Sequence, residues 1–160
     1  MFKLPEVITE EQLLKILKNV KRHHKLAFML GFYQCMRISE IVKLKPEDIN
    51  YNLKLIRIIQ GKGHKDRNIP IAPQVLKGLK YLPVGIGVRA LEYKFKAMTK
   101  ELIGNGLKFH TLRHSGITYY LTKCHWSSLE VQRLAGHSRI STTEIYTHIN
   151  PQDLVNRMWG

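Results

Sequence analysis

Cysteine is almost missing from this chain. Among 160 residues only Cys35 and Cys124 carry thiols, too few and too far apart for a disulfide framework, which favours a reducing compartment. Long apolar runs are missing as well. The longest, around Leu26 to Tyr33, is far too short to span a bilayer. The opening MFKLPEVITEEQ has a proline and acids where a secretory leader would be apolar, so a cytoplasmic protein is expected. Repeats, low-complexity stretches and internal linkers are absent, and 160 residues suit one domain with a genuine core. Acids are scarce: twelve Asp and Glu stand against twenty-six Lys and Arg, a formal charge of +14. That excess makes nucleic acid the leading partner, because each neutralised phosphate releases counterions. On charge alone, solubility by repulsion or an anionic membrane surface stays open. The remaining composition, 44% hydrophobic and 24% charged, is that of an ordinary globular protein.

Local signals set the elements. Thr9 with Gln12 makes a capping box, and Leu13, Ile16, Leu17 and Val20 follow at helical spacing, so a first helix covers roughly 10–20. Lys21 to Lys25 reads as a solvated basic turn, and Leu26 to Tyr33 as a buried second helix. His23 and His24 are adjacent and cannot share a helix face, which argues against a metal site. Ile38, Ile41 and Val42 give the next helix its apolar stripe, with Pro46 just beyond its end. Arg37 opens that helix and needs an anion or a carboxylate. Glu40, one turn on, would hold it in a purely structural role. If Arg37 faces a cleft, its fork suits a phosphate and Glu40 orients it.

From Leu53 to Ile71 the β-branched content predicts two antiparallel strands joined by GKGHKDR. Lys62 sits between two glycines without the spacing of a P-loop, so it reads either as a solvated turn lysine or as a hairpin tip reaching into a nucleic-acid groove. A helix from Pro73 to about Leu82 follows, then the loop PVGIG, then an amphipathic helix marked by Leu91, Phe95, Met98 and Leu102. Its other face carries Lys94, Lys96 and Lys100. After GNG comes a helix with His110, Arg113, Ile117 and Leu121. Ser127 with Glu130 caps another that Gly136 stops, Ser141 with Glu144 caps a short helix holding Tyr146, and Pro151 starts the last one through about Met158. The fold class expected is α+β, mainly helical, with a small antiparallel sheet or hairpin.

The stretch from His110 to His148 gathers candidates for chemistry. His110 and Arg113 lie one turn apart, His137 follows Gly136, and Tyr146 comes a few residues later. Cations, imidazoles and a phenol suit the gathering of a phosphodiester and attack on it. Taken singly, each is more often a packing or solvated residue, as Tyr119 and Tyr120 are expected to be. His110 and His114 are spaced for zinc, but HTLRH lacks the glutamate of HExxH, and no metal is expected.

Three separated pieces, RISEIVKL with PEDIN, GKGHKDRNIP, and HTLRH with LAGHSRISTTEIYTH, together resemble the catalytic domain of the tyrosine recombinase (phage integrase) family. The resemblance covers nearly the whole chain, and GHSRISTTEIYTH is its most specific part. It implies a single catalytic domain over 1–160, without the N-terminal helical domain that clamps DNA in family members. Position by position, Arg37 matches the first family arginine and Glu40 its acidic support. Lys62 matches the hairpin lysine, His110 and Arg113 the H-x-x-R pair, His137 the His or Trp after Gly, and Tyr146 the nucleophile. One departure stands out: Gln34, Cys35 and Met36 replace a frequent Thr-Gly-Leu, removing a glycine's freedom beside Arg37.

The resemblance implies a site-specific recombinase acting on double-stranded DNA without metal, ATP or any other cofactor. Arg37 and Arg113 would grip the nonbridging oxygens, with His110 and His137 adding hydrogen bonds or handling the nucleophile's proton. Lys62 would protonate the departing 5′-oxygen, and Tyr146 would form a 3′-phosphotyrosyl link. Self-association into a tetramer on DNA is expected through the segment 150–160, whose Leu154, Val155, Met158 and Trp159 suit docking on a neighbour. A type IB topoisomerase, a non-cleaving DNA-binding regulator and an accessory fragment are the rival readings.

Overall fold

The computed structural model describes residues 6–59, 66–136 and 151–160. The first helix, α1 (Glu10–Leu17), begins with the expected capping box: the Thr9 hydroxyl accepts from the Gln12 N–H at 3.2 Å and the Gln12 carboxamide accepts from the Thr9 N–H at 2.9 Å. Its buried stripe is Leu13, Ile16 and Leu17. Helix α2 (Arg22–Tyr33) starts four residues earlier than expected. The basic stretch after Lys21 is its first turn, because Tyr81 gives the cations a partner: Arg22 lies 5.2 Å from the ring centroid and His23 meets the ring edge-on. Burial of Leu26, Phe28, Leu30 and Phe32 on the following turns supplies the tertiary packing that holds a helix of this length.

Helix α3 (Ile38–Lys43) and a 3₁₀ turn (Pro46–Asp48) lead into a three-stranded antiparallel sheet: β1 (Ile49–Asn50), β2 (Leu55–Ile58) and β3 (Arg67–Pro70), in the order β1-β2-β3. Two strands were expected, and β1 is the addition. Ile56 pairs with Ile69 and Ile58 with Arg67. The expected helix after Pro73 is a 3₁₀ segment, Leu76–Tyr81. Gly78 in its middle is a poor helix former, and Pro83 follows its end.

The rest of the framework is helical: α4 (Val88–Ile103), α5 (His110–Thr122), α6 (Ser128–Ala135) and α7 (Pro151–Trp159). At the centre lies α2, packed along α5 and against α4, with Phe28, Phe95 and Phe109 meeting edge to face. The inward face of α5 carries Leu112, Arg113, Ser115, Gly116 and Tyr120, and Leu121 is exposed, so the stripe differs from the one expected. Gly116 sets that rotation. A Cβ there would collide with the Phe32 carbonyl, so only glycine lets α5 approach α2 this closely. Tyr119 and Tyr120 pack, as expected, in a cluster with Tyr33, Phe32 and Trp126.

Helix α7 seats on its own sheet, against β3. Leu154 and Val155 are buried, the Trp159 indole donates to the Ile71 carbonyl at 2.9 Å, and Lys54 lies 4.0 Å above its ring. No helix among the described residues is long and apolar enough to cross a membrane.

Candidate active site

Four of the seven expected site residues fall among those described, and the fold brings them together. Arg37 occupies the N-cap of α3, where its own N–H donates to Glu40 Oε1 at 2.9 Å. Its guanidinium lies 3.5 Å from Glu40 Oε2 and donates to the Gly136 carbonyl at 3.3 Å. With 35% of its side chain exposed, Arg37 is anchored and still open to a ligand. Arg113, one turn into α5, is buried, and its Nη1 donates at 2.6 Å to both the Cys35 and the Ala135 carbonyls. Burial, and then the charge of Arg37, lower its pKa to about 10, which still leaves it a cation at neutral pH.

The departure at Cys35 has a structural consequence. Cys35 takes a left-handed backbone, φ 52°, a region that favours glycine. That turn presents its carbonyl to Arg113. The position therefore keeps a glycine-like conformation without glycine, and burial pushes the enclosed thiol up to about 12, leaving it inert.

His110 opens α5 at the surface, with its ring edge-on to His114 at 4.5 Å. Partial desolvation, then the neighbouring His114, Arg113 and Arg37, lower the pKa of His110; desolvation and Arg113 do the same for His114. Both rings are therefore neutral at pH 7, able to donate one hydrogen bond and accept another. Among the described residues no group of His, Cys, Asp and Glu is arranged to hold a metal ion.

Sequence reasoning missed Arg67. From the start of β3 it forks onto Glu40, with Nη1–Oε2 at 2.7 Å and Nη2–Oε1 at 3.2 Å. A signal was present: Arg67 shares strand parity with Ile69 and Ile71, both buried, so it points inward and needs a carboxylate. Burial would raise the Glu40 pKa, but the hydrogen bonds and charge of Arg67, then the N–H and charge of Arg37, hold it below its ordinary value. Two guanidiniums thus hold one ionised carboxylate, and Arg113 adds a third positive charge close enough to interact with it. The surplus positive charge favours an anion. Lys62, His137 and Tyr146 lie outside the described residues, as does the Ser141–Glu144 cap; the described chain reaches them from Arg67, paired with Ile58, and from Gly136.

Residues 6–89 and 84–153 match the phage integrase family. This chain belongs to that family. Among related sequences, the tyrosine recombinase XerA of Thermococcus onnurineus (strain NA1) is 33% identical over 94% of this chain and 61% of its own length. XerD of Pasteurella multocida (strain Pm70) is 31% identical over 95% of this chain and 61% of its own. The chain thus spans about three fifths of the length of the curated relatives it matches. The integrase from mycobacterium phage Brujita shares the fold with a TM-score of 0.78 at 20% identity, covering 99% of this chain and 58% of that one. The XerH recombinase bound to its difH substrate does so with a TM-score of 0.70 at 22% identity, covering 99% and 54%. The mainly helical phage integrase fold with a small antiparallel sheet is therefore as the sequence indicated.

Proposed function

We propose that this chain carries the chemistry of a site-specific DNA recombinase, cleaving and rejoining strands by transesterification. One observation carries the reading most: Arg37 at the start of α3 converges with His110 and Arg113 on the distant helix α5, with Glu40 as the counter-charge among the described residues. A phosphodiester is anionic and has a poor leaving group. Arg37 and Arg113 meet the first difficulty by binding the nonbridging oxygens as negative charge builds on them. Lys62 meets the second by giving its proton to the 5′-oxygen. The Tyr146 oxygen attacks phosphorus, a P–O bond to tyrosine forms, the bond to the 5′-oxygen breaks, and a 5′-hydroxyl leaves. His110 and His137 hydrogen-bond the phosphate or accept the phenol proton. An ordinary phenol has a pKa near 10, so surrounding cations are what make attack feasible at neutral pH.

The energy of the broken ester is kept in the phosphotyrosyl link, so an incoming 5′-hydroxyl reverses the step and exchanges strands. Work on DNA fits a cytoplasmic, nucleoid-associated protein. Assembly into a tetramer through the C-terminal segment belongs to the same reading. Because Leu154 and Val155 are already buried in this chain's own fold, docking on a neighbour requires α7 to leave its seat on β3. The test is incubation with a nicked suicide duplex in EDTA, resolved on a denaturing gel beside Tyr146→Phe. A covalent band that the substitution removes supports the reading; DNA binding without any band, at cognate sites, favours a non-cleaving regulator.

A further inference from the structure

We propose that Arg67 is a positioning residue that keeps Arg37 available to the scissile phosphate by occupying Glu40. This rests on the cleavage chemistry proposed above. Glu40 is a buried carboxylate, and such a group takes the nearest guanidinium fork it can reach. Two forks are within reach. Arg67 holds it in bidentate geometry, at 2.7 and 3.2 Å, with only 13% of its side chain exposed. Arg37 makes a longer 3.5 Å approach with its guanidinium and binds Glu40 chiefly through its backbone N–H. The Arg37 fork is thereby left partly exposed at the cleft, steadied by the Gly136 carbonyl.

A second contact fixes Arg67 in that role. Its guanidinium lies against Gly136, whose backbone is left-handed at φ 69°; a Cβ there would come within 2.5 Å of Arg67 Cζ. The Arg67 Nε is buried and has no partner among the described residues. One side chain therefore locks the start of β3 to α3 and to the end of α6. Remove it, and among the described residues the fork left for buried Glu40 is that of Arg37. The carboxylate then competes with the substrate phosphate for the same guanidinium.

This competition predicts a rescue that a merely structural arginine would not show. In the suicide-substrate assay, Arg67→Gln should slow covalent cleavage roughly 10- to 100-fold, the range for residues that orient a reacting group from behind. Adding Glu40→Gln removes the competing charge, so the double variant should cleave several-fold faster than Arg67→Gln alone, with DNA affinity little changed. Arg67→Lys keeps the charge without the fork and should fall between wild type and Arg67→Gln. Melting by circular dichroism accompanies each variant, and if Arg67→Gln does not fold, the double variant and Arg67→Lys carry the comparison with Glu40→Gln. Wild-type rates in Arg67→Gln, or a double variant no faster than Arg67→Gln, would overturn the role of Arg67 alone. A wild-type chain that forms no covalent complex with cognate DNA would overturn the cleavage chemistry and this inference together.

Discussion

At the scale of residues, the site is an exercise in keeping buried cations charged. Arg113 remains a cation because its Nη1 satisfies two carbonyls that would otherwise go unpaired, those of Cys35 and Ala135. Lysine cannot reproduce that planar fork. Arg113→Lys should therefore lose about 1–3 kcal/mol of stability in urea titration and slow covalent cleavage at least about 100-fold, as losing a preorganised phosphate donor does. The two imidazoles predict a pH dependence. His110 and His114 hold lower pKa values folded than unfolded, so the unfolded chain binds more protons in the intervening range. Stability should fall as pH drops through and below about 6.5, and His110→Asn with His114→Asn should flatten the melting temperature between pH 7.5 and 5.5. Glu40 acts lower down, its contribution present above the ordinary carboxylate range and lost as pH falls through its depressed value.

At the scale of elements, legibility followed how local each cause is. Thr9 with Gln12 and Ser127 with Glu130 were readable because a capping box is complete within four residues, and both form. The start of α2 was not readable, because the ring that accommodates Arg22 and His23 belongs to Tyr81, far along the chain. Strand β1 is only Ile49 and Asn50, too short to show alternation. Arg37, Glu40, His110 and Arg113 were identified by motif order, whereas Arg67, whose partner lies 27 residues away, needed the strand parity of its neighbours. Packing carries its own predictions. Gly116→Ala would push α5 away from the Phe32 carbonyl, at a cost of about 1–3 kcal/mol visible as a lower denaturation midpoint, and would displace Arg113 with it. Leu154→Ala should cost about 2–5 kcal/mol if α7 stays on β3 in solution; a negligible change would mean that the helix already sits elsewhere.

At the scale of the whole molecule, charge and architecture point the same way. A +14 chain that brings Arg37 at the start of α3 and Arg113 near the start of α5 to one site suits a polyanion. DNA affinity should fall about tenfold or more between 50 and 200 mM salt, and a salt-insensitive complex would argue against phosphate contacts. The proposed chemistry has these cations serve one nucleophile, Tyr146. It is tested most directly by trapping the chain on a nicked duplex in EDTA, digesting the adduct with protease, and locating the DNA-linked residue by mass spectrometry. A 3′-phosphate ester on Tyr146 is the expected product; attachment at any other residue, or no adduct on DNA that the chain demonstrably binds at its cognate site, would contradict the proposed chemistry.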